Sequence, residues 1–432
     1  MSQEQRPAEP TEPESSSSSG TTATAEAPTD RQPAPRRGRV GRLLHGDNPA
    51  LLTVLALVLA GVVGAVLIAI GDPDTRAAST YFFAAPMDTI SAALKAVGNA
   101  YLALFEGSVV DPSSFATGSF TGIFGPISET LVNATPLILG GLSVALAFRA
   151  GLFNIGGQGQ IIIGAVCAGY VGFAWDLPIV IHVLLALVAG TVGGAFWGGI
   201  AGWLKARTGA HEVITTIMLN YIAYNLLAFL LGTPGFQAPP YGQAISNPVE
   251  GSARLPHLLG SDLRVHAGLL IALLAALGCW WLLDRSTLGF RLRAVGANQN
   301  AARTAGMHVE RSFVAVMVLA GGLCGLAGCA QILGTNPAIT QDIDAGIGFD
   351  AITVALLGRG KPGGTVLAGL LFGALRAGSV TMLSRTGTPV DLVQVVQALI
   401  VMFIAAPALV QAVFRVRARG GVGQVLAKGW NG

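Results

Sequence analysis

The stretch RAVGANQNAARTAG, Arg293–Gly306, is polar, alanine-rich and cationic, and it sits between two long apolar runs at 265–283 and 312–333. Each run approaches the roughly 20 residues that a helix needs to cross the hydrocarbon core of a bilayer. The polar block between them therefore lies outside the hydrocarbon, on one face of a membrane protein. The whole chain agrees with that reading. Of its 432 residues 52% are hydrophobic and only 11% charged, where a soluble domain carries about a quarter.

Working outward, similar runs lie at 50–70, 127–148, 155–174, 179–203, 213–231, 346–357, 364–383 and 389–413. The expected fold is all-α: a polytopic membrane protein of about ten transmembrane helices, one or two of them broken or short. The run 346–357 is too short for a full crossing and ends in GRGKPGG, which makes it either a half-helix buried among its neighbours or a re-entrant segment. Charge favours ten crossings. With both termini cytoplasmic, the basic residues at 36–42, 149, 205–207, 285–311, 359–361 and 415–428 fall inside. Only Arg76, Lys95, Arg254, Arg264 and Arg385 stay outside, in keeping with the excess of basic residues in cytoplasmic loops.

Residues 1–45, rich in Ser, Pro, Thr, Ala and Glu, have too little apolar surface to offset chain entropy and are expected to be a disordered cytoplasmic tail. They lack the apolar core of a signal peptide, so 50–70 acts as an uncleaved first span. The membrane domain covers 46–420, followed by a short cytoplasmic tail at 421–432. Within it, 80–107 is amphipathic and reads as an external interfacial helix, with a further span as the alternative. The Pro/Gly-rich segment 232–264 reads as an external loop that either touches a partner or is simply solvated.

Polar residues inside the spans point toward a path. Glu212, Thr216, Asn220 and Tyr224 recur every four residues and form one stripe on the fifth span, either facing a pore or satisfied by neighbouring helices. Arg376 lies well inside the ninth span, where an arginine is costly and normally faces protein interior or a wet cavity. It either contacts solute or fixes helix carbonyls. FRAGLFNIGGQGQIIIGA (148–165) and GRGKPGGTVLAGLLFGA (358–374) share a glycine-rich break followed by apolar residues, a weak sign of repeated unwound segments.

Several functions are disfavoured. GRGKPGGT lacks the GxxxxGK[ST] pattern of a phosphate loop, and no catalytic constellation is visible. Cys167, Cys279, Cys324 and Cys329 sit in apolar runs without metal-ligand spacing and read as small buried thiols. The acidic residues and His182 lie near span ends rather than deep in them, unlike the usual proton-coupled carrier. A transporter body without an energy site, carrying a polar helical insert, implies ATP hydrolysed on another subunit. A secondary carrier working alone is the rival class.

Four blocks carry a resemblance: ALAFRAGLFNIGGQGQ (145–160), TGAHEVITTIMLNYIA (208–223), GFRLRAVGANQNAARTAGM (289–307) and GFDAITVALLGRGKPGGTVLAGLLFGALRAG (348–378). They resemble permease subunits of bacterial ABC importers in the ribose/branched-chain amino acid superfamily, closest to the nucleoside type served by a basic-membrane-protein-like lipoprotein. The resemblance implies a multi-pass protein of the bacterial plasma membrane, in contact with lipid and not with nucleic acid. It further implies a second homologous permease, an external solute-binding lipoprotein and an ATPase subunit with two nucleotide-binding domains. ATP and magnesium would bind that ATPase, and this chain would hold no cofactor.

The resemblance also assigns residues. It makes 284–311 the cytoplasmic coupling loop, through Arg293, Ala294, Gly296, Asn298, Ala301, Ala302, Arg303 and Gly306. Gln299 stands where the family usually has proline. It places Asn154, Gln158, Gln160, Thr216 and Asn220 along the translocation path, with Arg376 as a further candidate. Neutral amides and hydroxyls suit an uncharged polar solute, a nucleoside or related nucleobase compound, with simple sugars as the alternative.

Overall fold

The computed structural model describes residues 49–415 except 261. The expected tails, with the basic flank at 36–42, lie outside the described residues. Within them the chain forms helices joined by turns and isolated bridges, without a β-strand. Eight helices are long and apolar enough to cross a membrane, and a bent pair supplies a ninth. The eight are α1 (Pro49–Gly71), α5 (Phe120–Arg149), α6 (Gly157–Ala174), α7 (Ile179–Thr208), α8 (Glu212–Leu231), α9 (Gly268–Arg285), α12 (Val309–Ala330) and α14 (Pro362–Thr386). The bent pair is α15 (Val390–Ala405) and α16 (Pro407–Val413), which meet at 95°. The remaining helices are α2 (Pro73–Ser79), α3 (Pro86–Ser108), α4 (Ser113–Thr117), α10 (Thr287–Ala297), α11 (Gln299–Thr304) and α13 (Ile347–Leu357).

The short run expected at 346–357 is a half-helix preceded by non-helical chain. The 11 residues of α13 cover about 16 Å, roughly half the hydrocarbon thickness. Before it, residues 336–346 are not a continuous helix, and they are tied to the loop that follows α8: Ser246 N donates to Ile339 O, and Val249 N to Pro337 O. After it, Arg149 at the end of α5 donates from Nε to Gly360 O at 3.0 Å, and Arg359 reaches Thr53 near the start of α1. The segment thus joins opposite ends of the bundle. A half-helix that continues through the bundle fits this geometry, and a segment returning to its own side does not.

Close backbone approach holds the centre. Gly190, Gly194 and Gly198, four apart on α7, face Gly321 and Gly325 of α12, and Gly202 continues the row against Phe313 and Met317. A Cβ on Gly194 would sit 2.6 Å from the Gly325 Cα, so only glycine allows this contact. Small residues at such spacing let membrane helices pack by dispersion where no hydrophobic drive between them exists. Around this seam lie buried clusters shared by α5, α12 and α14 and by α6, α8 and α12.

The loop 232–264 is not simply solvated. Phe236, Val249, Ala253, Leu255 and Leu263 are buried in it. Its backbone bonds to the C-terminal end of α6, through Glu250 N to Gly172 O, and to the turn that follows α12, through Leu255 N to Leu333 O. Apolar residues among its prolines and glycines drive this docking. The helix α3, within the expected interfacial segment, packs on α14 and α1: Gly378 meets the backbone of Leu104, and Tyr101 donates its hydroxyl to Gly61 O. It is not among the helices apolar enough to cross.

Candidate functional site

The amide residues expected along the path come together, but facing inward. After α5 the chain runs back as non-helical residues 152–155, and α6 begins only at Gly157. The first N–H groups of any helix lack intrahelical acceptors, and here side chains supply them. Asn154 Oδ1 accepts from Gly156 N at 3.1 Å, and Asn220 Oδ1 accepts from Gly159 N at 2.8 Å. Asn154 and Gln160 exchange two amide bonds, at 3.0 and 3.1 Å, and Asn154 also donates to Ser143 Oγ. Thr216 spends its hydroxyl on Glu212 O, one turn back in its own helix.

Asn154, Gln160, Thr216 and Asn220 are all buried. The expectation that they face solvent or solute is corrected for this conformation: saturating a helix start inside an apolar bundle uses up their hydrogen bonds. Gln158 alone of this group stays half-exposed, with its backbone against Gly348. The stripe on α8 is likewise split. Thr216 and Asn220 belong to its buried side with Ala223 and Leu227, while Tyr224 is exposed and Glu212 pairs with Lys205 at 2.7 Å.

The expected coupling segment is a helix pair. Gly296, near the end of α10, lies against the backbone of Ala150 and Gly151, so tightly that a Cβ there would collide with the Arg149 carbonyl. Asn298 caps α11, its Oδ1 accepting from Asn300 N and Ala301 N at 3.0 Å each. Arg303 pairs with Glu310 at 3.1 Å, Arg293 lies 3.7 Å from Asp284, and Gly306 takes a left-handed φ of +79°. Ala294 is half-buried, and Ala301 and Arg303 are exposed. Ala302 is corrected. It is only 4% exposed and packs into the cluster of Leu292, Val295 and Phe313, so it anchors the pair from beneath.

Arg376 does line a cavity. About 330 Å³ in volume, it lies between α13, α14 and α15 and is bordered by Phe349, Asp350, Thr353, Gln394 and Gln397. Arg376 Nη2 donates to Ala345 O and lies 3.4 Å from Asp350 Oδ2. Ala345 holds φ at +48°, uncommon without glycine. Asp344, buried behind it, accepts from Gly346 N and Gly348 N at 3.1 Å and so caps α13. By sequence Asp350 is one of the carboxylates near a span end, and Gln394 and Gln397 were not among the expected site residues. Two glutamines three apart inside an apolar run were the available signal.

Comparison with known proteins now bears on these features. Residues 127–405 match the family described as branched-chain amino acid transport system / permease component. The guanosine ABC transporter permease protein NupP of Bacillus subtilis is 43% identical over 66% of this chain and 84% of its own length. The glucose ABC transporter permease protein TsgB13 of Haloferax volcanii is 36% identical over 77% of this chain and 90% of its own. The nucleoside ABC transporter permease protein NupB of Lactococcus lactis is 36% identical over 66% of this chain and 80% of its own. No solved structure matches. The chain belongs to the branched-chain amino acid transport system permease family and is a multi-pass permease component of the plasma membrane.

Proposed function

We propose that this chain is a transmembrane subunit of an ABC importer and forms part of the translocation path for nucleosides or related nucleobase compounds. The observation that carries the reading is the 43% identity to a guanosine permease across most of that protein. Guanosine permease proteins of Bacillus subtilis occur twice among the relatives, as NupP and the more distant NupQ. That doubling supports a heterodimer with a second permease. ATP hydrolysis belongs to a separate ATPase with two nucleotide-binding domains, docked on α10 and α11, and solute arrives on an external binding lipoprotein.

A second reading, simple sugars, is favoured by the longer match to a glucose permease. Uptake of labelled guanosine, inosine and glucose into cells expressing the complete transporter separates the two. Nucleoside accumulation that stops when the ATPase is inactivated supports the first. Accumulation of glucose alone supports the second. Accumulation by this chain without any ATPase would indicate a stand-alone carrier.

A further inference from the structure

The cavity beside Arg376 is lined by the polar side chains of Asp350, Gln394 and Gln397 and by the rings of Phe349 and Phe372. Arg376 and Asp350 face each other at 3.4 Å, longer than the 2.7–2.9 Å of a charge-assisted hydrogen bond. The pair is close enough to offset its charges and loose enough to leave hydrogen-bonding capacity on both groups. Gln397 is 6% exposed as a residue and lines the same cavity. Its amide is not among the covered polar atoms that lack a partner, so it keeps surface open to a ligand. The exposed ring of Phe349 forms part of the wall.

A carboxylate only accepts hydrogen bonds, a guanidinium only donates, and a glutamine amide does both. Together they match a small flat solute whose one edge carries a carbonyl beside N–H groups. A 6-oxopurine is such a solute: its O6 and N7 suit arginine, its neighbouring N1–H suits a carboxylate, and its faces suit an aromatic ring. The volume lies at the small end of ligand pockets. Adenine turns an acceptor nitrogen toward the carboxylate at the same place and is disfavoured.

We propose that Asp350, Arg376 and Gln397, with Phe349 as the stacking wall, form a membrane-depth subsite for the base of a 6-oxopurine nucleoside. This rests on the nucleoside reading and adds the base class and the residues that select it. Asp350 is the selecting residue. Asparagine in its place offers a donor as well as an acceptor and accommodates either purine.

The test uses the complete transporter in membranes. Guanosine uptake is measured with inosine, adenosine, cytidine and glucose as competitors, for the unaltered chain, Asp350→Asn and Gln397→Leu, each corrected for membrane abundance. Asp350→Asn should reduce the preference for guanosine over adenosine at least tenfold, and Gln397→Leu should raise the guanosine KM. A second measurement does not depend on uptake by those variants. Thr353→Cys, on the cavity wall, should react with a maleimide, and guanosine should protect it while cytidine does not. Guanosine uptake with unchanged selectivity in Asp350→Asn, or an unprotected Thr353→Cys, overturns the subsite and leaves the nucleoside reading standing. Glucose as the sole solute and sole protectant overturns both.

Discussion

Asn220 on α8 and Gly159 on α6 are joined by a 2.8 Å bond from the Gly159 N–H to the Asn220 side-chain oxygen, and the Asn220 amide donates back to Ile155 O at 2.9 Å. One side chain thus satisfies two main-chain groups where the sixth helix starts inside the bundle. Asn220→Leu keeps size but leaves both groups unpaired. Each buried orphan costs about 1–3 kcal/mol, so the variant should be less abundant in membranes and unfold several degrees lower. Thermal unfolding in detergent checks this, and an unchanged midpoint would show that water or lipid replaces the asparagine freely.

The coupling face should separate two adjacent alanines. Ala301 is exposed on α11, so Ala301→Glu should leave the permease folded and weaken its association with the ATPase. An unpaired charge buried at an interface costs several kcal/mol. Ala302 packs beneath the same helix, so Ala302→Glu should lower the yield of folded permease itself. Co-purification with the ATPase, set against membrane abundance, reads both effects. Equal loss of abundance in the two variants would contradict the assigned orientation of α11.

The glycine seam predicts a steep size limit. At Gly194 a Cβ would meet backbone atoms of Gly321 and Gly325, which cannot swing aside as a side chain can. Gly194→Val should force α7 and α12 apart and abolish stable permease, whereas Gly278→Val, with open space around it, should be tolerated. Comparable membrane levels of the two variants would remove the seam from the account of stability.

Acid should loosen one anchor at the start of α9. His266 lies just before the α9 span, 1% exposed, its Nδ1 accepting from Gly268 N at 3.1 Å. Burial, helped by the nearby His257 and Arg264, holds its pKa down at about 4. The unfolded ring titrates near 6.5, so below that pH the unfolded chain binds more protons than the folded one. The contribution is complete above pH 6.5 and declines as pH falls toward 4, by about 2 kcal/mol at pH 5. Unfolding midpoints between pH 7 and 5 should fall for the unaltered chain and fall less for His266→Asn, whose oxygen still accepts from Gly268. Parallel slopes would exclude the ring.

Hydropathy in the sequence was enough to place the helices and to mark 284–311 as a polar insert, because crossing a bilayer is a constraint each segment meets by itself. The same holds for the mid-span rank of Arg376, whose cost in hydrocarbon is local. Facing is a different matter. The four-residue spacing of Thr216 and Asn220 aligns them on one side of α8, but only the arrival of the α6 start against that side decides that they brace a backbone. Ala301 and Ala302 are indistinguishable in composition, and the packing of Leu292 and Phe313 alone sends one inward. Asp350 and Arg376 lie 26 positions apart on separate helices, and the half-helix that brings them together exists because its other half is unwound. Lateral contact between helices is a property of pairs, and no single segment carries it.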